Sequence, residues 1–503
     1  DTFVHEGDGT CCPGITPSTH DRLYIGRKGN KIHRAYFKIN TLPNIPAGSF
    51  ISSAAVYAQC YNGTSSSRPF SINKVTSSWD ASTLGWNPQP ASTDITGIED
   101  GVNRGEINGV AQPDKPNILA FCYCRDTIAR MYNGNMTNNG FMIHYTSETD
   151  NDYNSIYSYE NANTAGRAHI SVGYIEPANI AAGTYYIRNK HSGHYLDAEN
   201  KGGSGTNVVQ YAFNGSTNQQ WKIERQSNGL YVLKPTYNTG LALDVYGASD
   251  SNSANIQVYN FNNSSAQQWY IIENNDGGYR ILSRCSNGKK GVTVQNASTS
   301  SGANVFQYDY TDNAGENDEW WLEKCNEMAT LTLFSLPNGG HSWFTVKNNI
   351  GAAIKVGVYN IAIGEEISIG TFGNQQGHCG IWYNIESYYA DNSSYIGRVS
   401  LSETISINEL NEMTEYIRRN DTWSVYYNCS RFAGSIWNLA TNNDIDINLI
   451  STPTAVANAI KKKSNYQTNR TFQKQEKSSV GYVKNSGDWI FETSTSFSSS
   501  ISN

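Results

Sequence analysis

The sequence is poor in charged residues and has no long apolar run. Asp, Glu, Lys and Arg make up 16% of its 503 residues, and the formal net charge is −7. A nucleic-acid-binding protein needs a basic face, so we expect no nucleic acid among the partners. No run of 18 apolar residues is present, so we expect no transmembrane segment. Because the sequence has neither a phosphate-binding loop nor a cluster of metal ligands, we expect no cofactor and no metal.

The cysteines form no Cys-x-x-Cys pair. The nine cysteines are Cys11, Cys12, Cys60, Cys122, Cys124, Cys285, Cys325, Cys379 and Cys429. An odd number leaves at least one thiol unpaired within a monomer. Their scattered spacing favours a protein that is secreted or at the cell surface and has some disulfides. Residue 1 is Asp and no signal peptide is visible, so we expect a processed form if the protein is exported.

Length and composition predict a multidomain, β-rich protein. A chain of this length is too long for one hydrophobic core, and at roughly 150 residues per domain two to four domains are expected. Aromatic residues reach 12%, and Gly, Ser, Asn and Tyr are abundant, which is typical of strands joined by turns. We predict three domains at residues 1–176, 179–325 and 326–503.

Short strands and turns dominate the first segment. Ala35, Phe37 and Ile39 alternate with polar residues, a turn follows at Leu42–Gly48, and a strand resumes at Ser53–Cys60. The pattern predicts an antiparallel β-sandwich. The runs DRLYIGR, RAYFKINTLPNIPAGSFISSAAVYA and INKVTSSWDASTLGWNPQP resemble the DNRLRE family of secreted jelly-roll modules. The resemblance implies an all-β jelly-roll sandwich with a spacer or glycan-binding role and no chemistry.

Trp79 and Trp86 allow two interpretations. They could form a platform for a sugar ring, or they could pack the sandwich. Aromatic side chains dominate core burial, so we favour the packing role.

The middle segment contains a threefold repeat. Its units end in NQQWKI, AQQWYI and NDEWWL, and Trp221, Trp269 and Trp320 recur at intervals of 48 and 51 residues. Units of that length cannot each bury a core, but three together can close one, with each tryptophan pointing to the shared centre. The repeated QxW pattern resembles the ricin-B lectin family. This resemblance implies a β-trefoil that binds galactose-type sugars.

A galactose-type site needs a carboxylate for two sugar hydroxyls, an aromatic ring for the apolar sugar face, and an amide for further hydrogen bonds. By the resemblance, the first repeat supplies the complete set: Asp197, Tyr211, Asn218 and Gln219. The alternative is that Asp197 only caps a turn and that the glutamine is partly structural.

The later repeats depart from this set. In the second repeat, Asp244, Tyr259 and Gln267 match, but Ala266 replaces the expected asparagine, so we expect a weaker or altered site. In the third repeat, Thr293 stands at the aspartate position, and the remaining matches are Tyr308, Asn317 and Asp318. Without the carboxylate we expect no useful site there. Cys285 and Cys325 are candidates for a disulfide that closes this repeat.

The pattern of the third segment predicts an α+β domain. The strand-like stretches HSWFTV, AIKVGVY, EEISIGTF and GIWYNIE come first, and a helical pattern follows at Asn408–Arg419. A second helix is predicted to begin at Cys429, because apolar residues recur after it at helical spacing in CSRFAGSIWNLA. At a helix N-terminus the dipole and the free N–H groups favour a thiolate and can form an oxyanion hole. His341 begins a predicted strand 88 residues earlier.

The order of this histidine and cysteine resembles the circularly permuted papain-like enzymes, which include NlpC-type amidases and peptidases and the lecithin:retinol acyltransferase-like group. The matching residues are GGHSW and NCSRFA, within roughly residues 330 to 460. The resemblance implies that the Cys429 thiolate attacks a carbonyl, with His341 as its base, and that an acyl-thioester is released to water or an amine.

The residue that orients the imidazole is less evident from the sequence. A hairpin of HSWFTV with IKVGVYN, turning near Ile350, would bring Tyr359 and Asn360 opposite His341. Asn360 is therefore our first candidate, followed by Tyr359 and Glu366.

Three alternatives remain at this point. Cys429 could be a buried small side chain or be paired with Cys379. His378 and Cys379 form a competing pair, although neighbours on a strand point to opposite faces. No carboxylate pair of glycosidase type is marked, but the sequence leaves that alternative open.

The sequence therefore predicts an exported carbohydrate-binding protein whose Cys-His module hydrolyses an amide in a glycoprotein, a cell-wall peptide or an N-acyl lipid. Glycans or glycoproteins are the expected partners. One alternative is a non-enzymatic lectin, adhesin or toxin-like glycan-binding protein. Another is a thiol acyltransferase that uses the same cysteine and histidine.

Overall fold

The computed structural model contains three domains that pack against one another. The described residues are 2–6, 21–63, 67–95, 106–108, 119–310, 316–337, 340–375, 377–391, 393–447, 451–485 and 489–498. Cys11 and Cys12 lie outside these ranges. None of the helices within them is long and apolar enough to cross a membrane. The same ranges contain no group of three or more His, Cys, Asp or Glu side chains that could hold a metal ion.

The first domain is an antiparallel β-structure with one helix among its described residues. Its strands are β1 Thr2–His5, β2 Arg22–Lys28, β3 Lys31–Phe37, β4 Phe50–Gly63, β5 Ser67–Val75, β6 Ser92–Asp94, β7 Glu106–Asn108, β8 Leu119–Tyr123, β9 Phe141–Tyr145, β10 Tyr153–Tyr157 and β11 His169–Ile175, and its helix is α1 Arg125–Tyr132. The strand order is β11-β4-β10-β2-β3-β9-β5-β6, with β1 on β3, β7 on β5 and β8 on β4.

Trp79 and Trp86 pack in this first domain, so the predicted packing role is confirmed. Both are partly buried against a small cluster that includes Tyr36 and Met142. The Trp79 indole N–H donates to the Asn139 carbonyl at 2.7 Å.

The second domain has twelve strands, four from each repeat. They are β12 Gly183–Asn189, β13 Tyr195–Ala198, β14 Thr206–Tyr211, β15 Gln220–Arg225, β16 Tyr231–Pro235, β17 Leu241–Val245, β18 Ile256–Asn260, β19 Trp269–Glu273, β20 Tyr279–Ser283, β21 Lys290–Val294, β22 Val305–Asp309 and β23 Trp320–Lys324. Strand β12 pairs with both β15 and β23, so the first and last repeats close the barrel.

The three repeated tryptophans occupy the centre of this barrel, as predicted. Trp221, Trp269 and Trp320 are each fully buried in one hydrophobic cluster. A buried indole N–H needs an acceptor. Each one donates to the backbone carbonyl directly before the aspartate position of its own repeat, at Leu196, Leu243 and Val292 respectively, over 2.9 to 3.2 Å. The core tryptophan of each repeat thereby fixes the strand that carries the aspartate position, which is Asp197, Asp244 and Thr293 in turn.

The third domain combines an antiparallel sheet with helices. Its strands are β24 Ala329–Leu336, β25 His341–Asn348, β26 Ile354–Val356, β27 Tyr359–Ile361, β28 Glu366–Phe372, β29 Gly380–Tyr383, β30 Val399–Ile405, β31 Gln467–Thr468, β32 Gly481–Asn485 and β33 Trp489–Thr493. Its helices are α2 Ile385–Tyr388, α3 Ile407–Arg419, α4 Cys429–Ala440 and α5 Pro453–Lys461. The sheet order is β31-β30-β24-β25-β28-β29-β32-β33, and β26 and β27 form a separate two-stranded ribbon.

Helices α3 and α4 begin close to where the sequence predicts them. Ser406 and Glu409 form a capping box at the start of α3, and the Asn428 side chain accepts N–H bonds from Ser430 and Arg431 at the start of α4. Such caps satisfy N–H groups that have no partner inside the helix. The apolar face of α4 joins the main core of the domain, where Phe432 packs 5.8 Å from Phe344 of β25, measured between ring centroids.

The second and third domains share buried contacts. Tyr186 and Tyr195 of the second domain belong to the same hydrophobic cluster as the core of the third domain. Glu323 accepts hydrogen bonds from the Arg188 guanidinium at 2.7 Å, the Tyr195 hydroxyl at 2.8 Å and the Gly351 N–H at 3.0 Å. This partly buried carboxylate joins the two domains through the bond from the Gly351 N–H, while Arg188 and Tyr195 hold it from its own domain.

Two sequence-based expectations about the chain are wrong. Cys285 and Cys325 do not pair, because each is a free thiol, as are Cys60 and Cys379. The hairpin of HSWFTV with IKVGVYN is not formed either. Strand β25 is central in the sheet and pairs with β24 and β28, which use both of its edges, so the following segment forms the β26–β27 ribbon instead.

Candidate functional site

The first-repeat site brings together the four residues that the sequence predicts. Asp197 lies on β13, and its Oδ1 accepts a 2.6 Å hydrogen bond from Asn218 Nδ2. Tyr211 ends β14 and leaves 45% of its surface exposed, so its ring is available for stacking. Asp197, Tyr211 and Asn218 line a cavity of about 360 Å³.

Gln219 has a structural part in this site. Its Nε2 donates to the Ala212 carbonyl at 2.9 Å, and its Oε1 accepts from the Asn214 N–H at 3.0 Å. Both bonds hold the loop that follows Tyr211. Burial raises the pKa of Asp197, and the hydrogen bonds from Asn218 and Gln219 only partly offset this effect.

The second repeat replaces the missing asparagine from a neighbouring strand. Gln257 lies directly opposite Asp244 across the β17–β18 pair and donates its Nε2 to Asp244 Oδ1 at 2.9 Å. The matching position in the first repeat, opposite Asp197, is Val209. A side-chain amide therefore donates to the aspartate in both repeats, although the position that matches Asn218 holds Ala266 in the second repeat. Tyr259 is partly exposed, and Gln267 holds its loop through Asn260 and Asn262.

The third repeat lacks this arrangement. Thr293 is buried and donates its hydroxyl to the Gly291 carbonyl at 2.9 Å, while Asn317 donates to the Val294 carbonyl at 3.0 Å. Asp318 lies 3.3 Å from the Arg280 guanidinium, and burial raises the pKa of Asp318 to about 6. Tyr308 is 46% exposed, but it has no carboxylate beside it of the kind that the first two repeats supply.

The third domain brings a cysteine, a histidine and a glutamate together at the ends of its elements. Cys429 is the first residue of α4, and His341 is the first residue of β25. The His341 Nε2–H donates to Glu386 Oε1 at 2.8 Å, and both side chains are fully buried. His341 Nδ1 is also buried, and the imidazole interacts with the Cys429 thiol as well as with Glu386.

The imidazole is held from several sides. Its ring stacks on Trp343 at 5.6 Å and lies 4.6 Å from Phe372, measured between ring centroids. Glu386 is held in turn by the Ser368 hydroxyl, which donates to Oε2 at 2.9 Å. Gly370 provides the space for this pair, because a Cβ atom there would collide with Glu386 Oε1 and lie 3.1 Å from His341 Nε2.

The electrostatics of the cysteine and histidine are coupled. Burial by itself raises the pKa of Cys429, but His341, the Ser342 N–H and the Ser430 hydroxyl outweigh it, so the thiol pKa lies below its ordinary value. Burial by itself lowers the pKa of His341, but Cys429 and Glu386 outweigh it and raise the imidazole pKa to about 9. A thiolate and an imidazolium stabilise each other in this geometry. The thiol is 2% exposed, and its sulfur lies 3.9 Å from the Gly340 carbonyl oxygen.

The expected placement of Asn360 opposite His341 is wrong, and Glu386 is the residue that contacts the imidazole. Asn360 is exposed on the β26–β27 ribbon, where it pairs with Lys355. Tyr359 donates to Glu365 at 3.3 Å. Glu366 lies opposite Lys347, six residues along β25 from His341, which is roughly 20 Å at the rise of a strand. The sequence does show a glutamate, Glu386, at the end of the apolar stretch GIWYNIE. Its contact with His341 depends on the strand order, which the sequence pattern does not reveal.

The competing pair of His378 and Cys379 has different partners. His378 Nε2 lies 2.9 Å from Asp421 Oδ1, and its ring stacks on Tyr482 at 5.0 Å. Cys379 is an exposed free thiol whose sulfur lies 3.3 Å from the Gly373 carbonyl, so it does not pair with Cys429.

Comparison with known proteins identifies the middle region. The family described as "Ricin-type beta-trefoil lectin domain-like" matches residues 174–259 and 236–308. The middle region is a ricin B-type β-trefoil lectin domain. Its match covers the first two repeats and most of the third, and it leaves the first and third domains of the chain unassigned. No curated protein matches the chain.

Solved structures similar to the lectin domain include both designed and natural proteins. The designed threefold-symmetric protein ThreeFoil is 41% identical over 28% of this chain and 99% of its own, with a TM-score of 0.27. The Macrolepiota procera ricin B-like lectin, solved with lactose, is 17% identical over 29% of this chain and 99% of its own, with a TM-score of 0.25. The Polyporus squamosus lectin, solved with Neu5Aca2-6Galb1-4GlcNAc, is 15% identical over 38% of this chain and 95% of its own, with a TM-score of 0.26.

Proposed function

We propose that this protein is a glycan-binding thiol hydrolase that cleaves an amide bond in glycan-bearing material. The observation that carries the hydrolase is the connected set of Cys429 at a helix start, His341 beside it, and Glu386 on the far nitrogen of the imidazole. A nucleophile, a base and a group that orients the base are the three parts of this chemistry. The permuted papain-like resemblance supports the same assignment.

The proposed reaction has two balanced steps. The Cys429 thiolate adds to the amide carbonyl carbon, the carbon–nitrogen bond breaks, and His341 gives its proton to the leaving nitrogen, which leaves an acyl-thioester. Water then adds to the thioester carbonyl while His341 takes its proton, the carbon–sulfur bond breaks, and the acid and the thiolate are released. The dipole at the N-terminus of α4, where Cys429 lies, is proposed to support the negative charge of the developing oxyanion.

The lectin domain is proposed to bind sugar through its first two repeats. The Asp197 carboxylate accepts a hydrogen bond from the Asn218 amide and the Asp244 carboxylate one from the Gln257 amide, and Tyr211 and Tyr259 each present an exposed ring. A carboxylate accepts a pair of sugar hydroxyls, and the ring stacks on the apolar sugar face. By the resemblance, the ligand is a galactose-type sugar.

The two activities are proposed to act on the same material. Binding of a glycan raises the local concentration of the bond to be cleaved without changing the chemistry at Cys429. A glycoprotein or a cell-wall peptide fits this arrangement. We also propose that the protein is exported, because such glycans lie mainly outside the cytosol; fractionation of the producing cells tests this.

The first experiment is alkylation of the native protein with iodoacetamide near neutral pH, followed by peptide mapping. We expect fast labelling of Cys429 below the usual thiol pKa of about 8.5. The variant Cys429→Ala should lose all turnover and keep its binding to a glycan array, while Cys379→Ala, which removes the exposed thiol, should keep both. An inert Cys429, or turnover that survives Cys429→Ala, would reduce the protein to a glycan-binding protein without this enzyme.

The proposed acyl-thioester can be released to water, which is hydrolysis, or to an amine, which is acyl transfer. Product analysis with and without an added amine separates hydrolysis, which gives the free acid, from acyl transfer, which gives a new amide. The same cysteine and histidine serve both reactions.

A further inference from the structure

Three buried serine hydroxyls, which we call the serine row, connect the start of α5 with the thiol of Cys429. Ser335 on β24, Ser342 on β25 and Ser430 on α4 are each fully buried. The Ser335 hydroxyl donates to the Pro453 carbonyl at 2.7 Å. The Oγ atoms of Ser335 and Ser342 lie 2.8 Å apart, and those of Ser342 and Ser430 lie 3.1 Å apart. Ser430 Oγ lies 3.9 Å from the Cys429 sulfur, so the row ends at the thiol.

The serine row has two orientations in which every hydroxyl donates once. A serine hydroxyl donates one proton and can also accept, whereas the Pro453 carbonyl only accepts. In the first orientation Ser335 donates to Pro453 and accepts from Ser342. Ser342 then accepts from Ser430, which presents a lone pair to the sulfur. In the second orientation all three hydroxyls turn the other way, and Ser430 donates to the sulfur. The first suits a protonated thiol, and the second suits a thiolate, which is the stronger acceptor.

We infer that the serine row turns its three hydroxyls together toward Cys429 when the thiol ionises, so that these serines act as positioning residues for the nucleophile. This inference rests on the proposed thiol hydrolase, whose two steps use none of the three side chains. The thiol proton passes to His341 as in the proposed reaction. Each serine keeps its own proton and only rotates about its Cβ–Oγ bond. The Pro453 carbonyl opposes the rotation, because it loses a donor when the row turns.

The charged groups near the thiol leave this role to the serines. His341 and, through it, Glu386 are the charged partners of Cys429. Strand β24 has no charged side chain, and Arg431, the charged residue of α4, donates to the Tyr426 carbonyl. The backbone N–H next to His341 on β25 also favours the thiolate, but a backbone donor cannot turn.

The other elements packed against α4 place their charges elsewhere. Lys347 on β25 and Lys461 at the end of α5 are exposed. Glu366 on β28 accepts from the Thr345 hydroxyl at 2.7 Å. The buried face of α3 is uncharged and consists of Leu410, Met413, Thr414 and Ile417. The second orientation of the serine row therefore adds a neutral donor to the effect of the imidazolium.

The test measures how the rate of Cys429 alkylation by iodoacetamide depends on pH, in the full chain and by peptide mapping. The variants are Ser430→Ala at the thiol end of the row and Ser335→Ala at the far end. Thr332→Val is the matched control, because Thr332 is a buried residue of the same strand as Ser335 and its hydroxyl lies 3.0 Å from that of Ser402.

The two serine variants should move the pH midpoint of the alkylation rate in opposite directions. Ser430→Ala removes a donor to the thiolate, so the midpoint should rise by about one pH unit. Ser335→Ala removes the acceptor that draws the Ser342 proton away from the thiol, so the midpoint should fall, by roughly half a unit. Thr332→Val should leave the midpoint unchanged.

The same peptide maps report whether each variant is folded, because the buried Cys325 is labelled quickly only in an unfolded chain. Midpoints that stay unchanged in folded Ser430→Ala and Ser335→Ala, or that move in the same direction in both, overturn the inference and leave the hydrolase standing. If iodoacetamide does not label Cys429 of the native protein at any pH, both proposals are overturned.

Discussion

His341 and Glu386 are joined by a 2.8 Å hydrogen bond between two side chains that are both fully buried. In a low-dielectric interior such a bond is stronger than in water and fixes the geometry of the ring. The bond holds a proton on Nε2, so Nδ1 is the ring nitrogen that would exchange a proton with Cys429 in the proposed reaction. The carboxylate also favours the imidazolium that forms when the thiol ionises.

Replacement of Glu386 by Gln should lower kcat by up to about 10⁴-fold, the loss found when a buried carboxylate that orients a catalytic histidine becomes an amide. The amide keeps the size of the side chain but removes the charge that stabilises the imidazolium. Steady-state kinetics on a peptide amide measures the effect. The matched variant Asn360→Ala should keep full activity, since Asn360 is exposed on the β26–β27 ribbon. The opposite pattern of the two variants would return the orienting role to Asn360.

Substitution of Gly370 by Ala should disable the thiol site through its geometry. The added Cβ collides with the Glu386 carboxylate and crowds His341 Nε2. A displacement of about 1 Å in a catalytic group can lower the rate about 10²-fold, and we expect a loss of that size. Glycan binding should persist, because the lectin domain is untouched. Gly203→Ala, where a Cβ meets no atom within 4 Å, is the control for an added methyl group. Full turnover in Gly370→Ala would contradict the buried arrangement.

The pH dependence of turnover should follow the two shifted pKa values. The Cys429 pKa is lowered, so the thiolate is present at pH values below the ordinary thiol range. The His341 pKa is raised to about 9, so the imidazolium that protonates the leaving nitrogen is present up to that pH and is lost above it. We therefore expect kcat/KM to fall above about pH 9, while the iodoacetamide rate, which needs only the thiolate, does not fall.

The pH profile of kcat/KM for Glu386→Gln tests whether His341 is the group that titrates on the alkaline side. Removal of the carboxylate removes one of the causes that raise the His341 pKa. The alkaline limb of kcat/KM should therefore move to lower pH. An alkaline limb that does not respond to Glu386 would argue that another group titrates there.

Replacement of Gln257 by Leu should weaken the second sugar site. The Gln257 amide is a donor to the buried Asp244 carboxylate, and loss of a hydrogen bond to a charged group changes affinity by about tenfold or more. The measurement is calorimetric titration with lactose in an Asp197→Ala background, in which the first site is removed. Asp244→Ala in the same background removes the second site and so gives the signal expected without sugar binding. Equal affinity with and without Gln257→Leu would show that the amide is dispensable.

The lectin domain was the most predictable part of the chain, because its sequence pattern occurs three times. The period of the tryptophans predicts both the barrel and the burial of Trp221, Trp269 and Trp320. The position of Gln257 was not predictable in this way. It contacts Asp244 across a strand pair, so its role depends on register and not on distance along the chain.

The third domain shows where a linear pattern is insufficient. Helical spacing predicts that α4 begins at Cys429, and a strand pattern predicts that β25 carries His341. The order of strands does not follow from these patterns, and a hairpin between sequence neighbours was the simplest assumption. Since β24 and β28 occupy both edges of β25, that assumption led to Asn360, while Glu386 reaches the imidazole from the element after β29.

The Glu323 junction has a consequence for how the molecule is built. Tyr186 and Tyr195 pack in the same hydrophobic cluster as side chains of the third domain, and Glu323 bonds to both sides of the boundary. A fragment that stops at the end of the lectin repeats would remove these contacts from the two tyrosines and leave the Glu323 carboxylate without its Gly351 donor. We therefore expect the isolated lectin repeats to melt at a lower temperature than the same repeats in the full chain.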